Sequence, residues 1–250
     1  MRSTLSRGAW TNPLRPAGMK NQYFGDKRDL FKFTLLETLV DEIPGIEALT
    51  CVWLLTPPAT NNDGSRHFRA QTAQSELGAF LKRCLDAGQR DVRQFAQYMN
   101  GRRARYVSFG DAPVDYFTSQ SRSTYFNGIP AHGLRRAVVF FDPDNGLEPR
   151  SVVSAAHIRL AELRSVFDRM DRASVAVVYQ HLPRQPARTF WPSAAARLRD
   201  SLESPTCFVA SGDIGFLISV RSSWNERPTA HAVERFRKAW PMPVMTSFVG

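Results

Sequence analysis

Long apolar runs are scarce in this sequence, and none approaches the roughly 18–20 residues that a membrane-spanning helix requires, so the chain reads as a soluble protein with no membrane partner. Cysteine is nearly as scarce. Cys51, Cys84 and Cys207 are scattered, each in an apolar setting (TCVWLL, FLKRCLD, PTCFVA). That pattern argues against a disulfide framework or a cysteine metal site and points to buried thiols in a reducing cytoplasm. Acidic residues are outnumbered, 23 against 33 Lys and Arg, for a net charge of +10. The surplus is clustered at Arg102, Arg103 and Arg105, at Arg135 and Arg136, and at Arg235, Arg237 and Lys238. Clustered cations attract phosphates, so nucleic acid, DNA or RNA, is the expected partner. No HExxH, paired CxxC, phosphate-binding Walker loop or GxSxG elbow occurs, which removes the most recognisable metalloprotease, zinc, NTPase and serine-hydrolase chemistries.

What is present is core material, 43% apolar and 11% aromatic over 250 residues, enough for one large α/β domain. Residues 1–18 are basic, contain proline and glycine, and show no periodic apolar face or secretory core; they are expected to form a disordered extension, with Met19 opening the patterned region. Residues 19–250 are expected to form a single domain with a helical insertion near 70–100.

The pattern predicts a helix over 27–40 (KRDLFKFTLLETLV), with Asp26 or Asp29 at its start, and a buried strand at 49–56. Helices follow over 74–86 and 89–99, a strand at 104–111, a helix-compatible stretch over 113–122, and a strand through "RAVVFFDP". An amphipathic helix over 154–170, a strand at 174–183, a helix over 187–203, two strands around Ser211-Gly212-Asp213, a helix over 229–240 and a last strand complete the order. "SGDIG" (211–215) imitates a glycine loop but lies between strands, so it reads as a hairpin turn. Alternating strands and helices imply a mostly parallel, doubly wound sheet with helices on both faces; the late hairpin adds an antiparallel C-terminal edge. "VVFF" (138–141), apolar without alternation, reads as a central strand buried on both sides.

In open parallel sheets ligands bind beyond the carboxyl ends of the strands, where strand order reverses. That rule singles out Asn61, Asn62, Asp63 and His67 after the first strand, and Asp111 and Asp115 after the second. It also singles out Asp142, Asp144, Asn145 and Glu148 after the third, and Gln180, His181 and Arg184 after the fourth. Asp142-Pro143 followed by Asn145-Gly146 is also good turn chemistry, which competes with a role for Asp142 in a site.

Three stretches resemble class I S-adenosylmethionine-dependent methyltransferases, most nearly the large-subunit ribosomal RNA adenine methyltransferases. "GDKRDLFKFTLLETLV" resembles the N-terminal segment with its Asp-x-x-Lys helix start, here Asp29 and Lys32. "VVFFDPDNG" resembles the Asp-Pro-Pro-Tyr strand end of amino methyltransferases, here Asp142. "SGDIGFLISV" resembles the late hairpin. The resemblance implies a Rossmann-like fold, S-adenosylmethionine as cofactor held by Lys32, Asp29 and Asp111, and Asp142 with Asn145 as catalytic residues acting on an adenine amine. The chain departs from the pattern in two places: the first strand runs into "LLTPPATNNDG" instead of a glycine-rich turn, and Asp144-Asn145 replaces Pro-Tyr.

Two other readings stand beside it. Asp142, Asp144 and Glu148 could hold Mg²⁺ in a nuclease or phosphodiesterase. Alternatively, the chain is a non-catalytic nucleic-acid-binding or defence-associated module on a degenerate methyltransferase fold.

Overall fold

A computed structural model describes residues 24–55, 75–112, 117, 122–150, 154 and 156–249. The expectations for residues 1–18, for Asn61, Asn62, Asp63 and His67, and for Asp115 fall outside these. Among the described residues the chain is an α/β structure built on a seven-stranded mixed sheet.

Helix α1 (Lys27–Glu42) begins where Asp26 accepts the backbone N–H groups of Arg28 and Asp29 at 2.7 and 3.1 Å, satisfying two of the donors that a helix start leaves open. Asp29 reaches back to accept the Gly25 N–H at 2.8 Å, closing the cap from the other side. Strand β1 (Ala48–Trp53) is buried at every residue. Two helices follow, α2 (Glu76–Asp86), capped by Ser75, and α3 (Gln94–Met99), much shorter than the expected 89–99. Strand β2 (Arg105–Phe109) precedes the short α4 (Arg122–Asn127), and β3 (Ala137–Asp142) is again wholly buried.

The expected helix over 154–170 is shortened at its start. Gly146–Leu147 (β4) and His157–Ile158 (β5) pair as a small parallel ribbon, so helix α5 spans only Leu160–Arg169. The reason is capping: the Glu148 carboxylate accepts the Leu160 N–H at 2.9 Å, and Glu162 accepts the Arg159 N–H at 2.9 Å. Strand β6 (Val175–His181), α6 (Ala187–Leu202), β7 (Thr206–Ser211), β8 (Ile214–Val220), α7 (Glu226–Ala239) and β9 (Met245–Val249) follow close to the expected bounds.

Strand order is β2-β1-β3-β6-β8-β7-β9. The first four are mutually parallel; β8 runs antiparallel to both β6 and β7, and β9 antiparallel to β7. The "VVFF" strand is therefore interior, as its unbroken apolar run requires. Its alternate residues divide between two apolar clusters. Val138 and Phe140 join residues of α1, α2, α3 and α7, while Val139 and Phe141 join residues of α4, α5 and α6. The three cysteines are free and buried, as their apolar settings imply. No helix among the described residues is long and apolar enough to cross a membrane.

Candidate functional site

Strand order reverses between β1 and β3, where Trp53 stands beside Asp142 in the parallel register. Over this point α1 lays Lys32. Its Nζ donates to Asp142 Oδ2 at 2.7 Å and to Asp29 Oδ1 at 2.8 Å. All three residues are buried, and rings of Phe33, Trp53, Phe140 and Tyr179 surround the ammonium at 5.4–5.9 Å. An isolated buried ammonium would be prohibitively costly, so the two carboxylates and the ring faces together are what make the position tenable. Burial alone would lower the Lys32 pKa, but the charges of Asp142 and Asp29 and their hydrogen bonds raise it well above the ordinary lysine value, so it stays an ammonium. For Asp142 enclosure prevails over the Lys32 charge and lifts its pKa to about 6. Asp26 is likewise raised to about 6, first by burial and then by the neighbouring Asp29 charge.

The loop after Asp142 is held by Gln180 at the end of β6. Gln180 Oε1 accepts the Leu147 N–H at 2.8 Å, and its Nε2 donates to the carbonyls of Asn145 at 2.9 Å and His181 at 2.7 Å. Gly146 has φ of +102°, a region open essentially to glycine, and a Cβ there would lie 2.3 Å from Gln180 Oε1. The Asn145 backbone is tied down too, donating to Ala156 O and accepting from His181 N. Tyr179 Oη and His181 Nε2 lie 3.0 Å apart, leading from the Lys32 enclosure toward the rim.

The expected site residues are thus brought together only in part. Lys32, Asp29 and Asp142 form one buried network. Asn145 instead lines a cleft between the β3–β4 segment and α6. Asp111, half-buried, follows Gly110 at the carboxyl end of β2, near Tyr125 and Arg93. The Tyr125 hydroxyl donates to the Trp53 carbonyl at 2.6 Å, and a Cβ on Gly110, whose φ is +74°, would lie 2.0 Å from that hydroxyl. Lys32 and Asp29 are thus engaged with Asp142 at the strand end. Gln180, Tyr179 and Tyr125 carry much of the local architecture. Their signal in the sequence is only position: a strand end for the first two, and nothing distinctive for Tyr125.

The carboxylates of the Mg²⁺ reading are not assembled. Glu148 caps α5, Asp142 is paired with Lys32, and no group of three His, Cys, Asp or Glu among the described residues has the placement of a metal site.

Two of the expected phosphate-binding clusters lie on the other rim. Arg103 and Arg105 sit at the amino end of β2 and Arg135 and Arg136 just before β3, opposite Asp111 and Asp142. Most of the clustered cations are also engaged. Arg102 stacks on Tyr98 and pairs with Glu37 and Glu76, Arg103 donates to Val40 O, Arg105 donates to His132 O, and Arg136 pairs with Glu47. Arg235 pairs with Glu42, and Arg237 and Lys238 with Glu234.

Comparisons with protein families, with curated proteins and with solved structures find no match to this chain.

Proposed function

We propose that the chain is a nucleic-acid-directed methyltransferase of the doubly wound, Rossmann-like kind, taking an adenine amine as acceptor and S-adenosylmethionine as donor. One observation carries the reading. The Asp-x-x-Lys start of α1 and the Asp-Pro end of β3, two of the three stretches that resemble the adenine methyltransferases, meet through the Lys32–Asp142 hydrogen bond at the point where strand order reverses. The late hairpin β7–β8, the third stretch, lies in the same sheet, with β8 beside β6.

The residues present fit such a donor in part. Asp111, a partly exposed carboxylate at the end of the second parallel strand, suits the hydroxyls of a ribose, the acidic position that nucleotide-binding sheets of this kind use. The donor supplies an electrophilic methyl group. The chain's own contribution is placement. Lys32 and Asp29 fix the end of β3, Gln180 fixes the loop, and the Pro143 carbonyl and Asn145 side chain are acceptors for the amine's N–H groups. An adenine amine is a poor nucleophile because its lone pair is delocalised, so orienting it and stabilising the charge that develops is the main task.

The enclosure of Lys32 favours one further reading, a binding module in which the network is purely structural. The two part company under assay. Full-length protein is incubated with methyl-labelled donor and adenine-containing RNA or DNA, beside Asp142→Asn. The methyltransferase reading expects transfer by the wild type and a loss of about a hundredfold in the folded variant. No transfer, together with no rise in melting temperature on adding the donor, leaves the binding module.

A further inference from the structure

The cleft that Asn145 lines has a volume of about 760 Å³, within the range of small-molecule sites. One wall is a single face of α6, where Phe190, Ala194 and Arg197 follow helical spacing; the other carries Arg150 and His157. The charge distribution is one-sided. Two arginines and two histidines line it, and among the described residues no carboxylate does. Three other surface clefts each include at least one acidic residue among their lining, Glu37 and Asp41 in two of them and Asp213 in the third.

Glu148, the nearest acid in sequence, is engaged as a cap: its carboxylate accepts the Leu160 N–H, and its backbone carbonyl accepts from Arg197 at 2.9 Å. That bond fixes the half-buried guanidinium at the wall. Burial, and after it the charge of Arg150, lowers the Arg197 pKa, while the Glu148 charge offsets part of this. His157 accepts from the Ser154 N–H through Nδ1 at 3.3 Å, and burial lowers its pKa; a neutral ring accepting there carries its proton on Nε2 and can donate. Two guanidinium groups lining one cleft suit an anion, and guanidinium groups match phosphate oxygens in pairs.

We propose that this cleft binds the phosphate of a nucleotide unit between Arg150 and Arg197, with the base against Phe190 and the Asn145 amide. The choice of a nucleotide rests on the nucleic-acid reading above; the anion does not. A free mononucleotide and one unit of a strand offer the same chemistry.

Calorimetric titration of the full chain, with no methyl donor present, tests it. Adenosine monophosphate should bind about tenfold or more tightly than adenosine, and inorganic phosphate should compete with it. Arg150→Ala, at an exposed residue, should leave the melting temperature unchanged and weaken monophosphate binding about tenfold without altering adenosine binding. Arg197→Lys, which keeps the charge and loses the fork, should weaken it too. A short single-stranded oligonucleotide that displaces the monophosphate, and is itself weakened by Arg150→Ala, identifies a strand as the occupant; failure to displace it identifies a free nucleotide. Equal affinity for adenosine and its monophosphate, absence of binding, or a monophosphate affinity indifferent to Arg150→Ala overturns the proposal. Because no donor is present, failure of methyl transfer leaves these results standing.

Discussion

Lys32 Nζ and Asp142 Oδ2, 2.7 Å apart, join the first helix to the third strand through a fully enclosed ion pair that Asp29 completes on its other side. Removing the cation strands two carboxylates in an aromatic enclosure. Lys32→Met should therefore cost about 3–5 kcal/mol, read from urea unfolding. Adding Asp142→Asn to it should recover part of that loss, because one stranded charge disappears; strict additivity of the two changes would show that they do not interact.

Asp26 gives the stability a pH dependence of a specific sign. Its folded pKa, about 6, lies above the ordinary aspartate value of 3.8, so the folded state takes up its proton more readily than the unfolded state. Stability from this group is greatest below about pH 4 and is lost as pH rises through 6, by about 2–3 kcal/mol. Asp26→Asn keeps a capping acceptor but does not titrate. The stability of Asp26→Asn relative to wild type should thus increase from pH 4 to pH 7, measured by denaturant unfolding at each pH; a constant difference refutes it.

Gly146 carries the turn out of β3. Alanine there meets both an unfavourable φ and the Gln180 amide, so Gly146→Ala should destabilise by about 1–3 kcal/mol and weaken any activity of the loop. Gln180→Ala, which leaves the buried Leu147 N–H without its acceptor, should cost about 1–3 kcal/mol by the same unfolding assay.

If a strand binds over the rim that holds Asp142, the arginines that follow β6 are the ones to contribute. Arg184 and Arg188 are exposed there. Replacing both with Ala should reduce the slope of log affinity against log salt by about 0.7 for each single-strand phosphate that is no longer neutralised. Arg105→Ala, on the opposite rim, should leave the slope unchanged; a reversal of these two results would put the nucleic acid on the other side of the sheet.

Much of this architecture was legible in the sequence because it follows from burial. Runs such as TCVW, VVFF and VAVVY have no polar alternation and fall in interior strands, and α1 announces itself through Asp26 and its apolar spacing. The start of α5 was not legible. Its apolar periodicity extends back to residue 154, but Glu148, far back in the chain, caps Leu160, and the ribbon of Gly146–Leu147 with His157–Ile158 takes the backbone that a longer helix would use. The meeting of Lys32 with Asp142 could be anticipated from strand-end placement, whereas its depth could not, since four aromatic rings from α1, β1, β3 and β6 converge only in three dimensions. The placement of the arginine clusters was not legible, because charge along a chain does not say which rim it occupies, nor that Glu37, Glu76 and Glu42 would pair with it.

The helix that carries Lys32 leans on the last helix. Phe31 packs edge-on against Phe236 at 5.2 Å and Trp240 at 5.0 Å, and against Phe216 of β8 at 5.7 Å. Pairings of such long sequence separation form slowly, because the loop between them must close first. The aromatic face of α1 is therefore covered only once β8 and α7 have formed and docked. The seating of the helix that carries Lys32 is consequently a long-range property of the chain, so a change at Phe236 or Trp240 reaches β3 through α1.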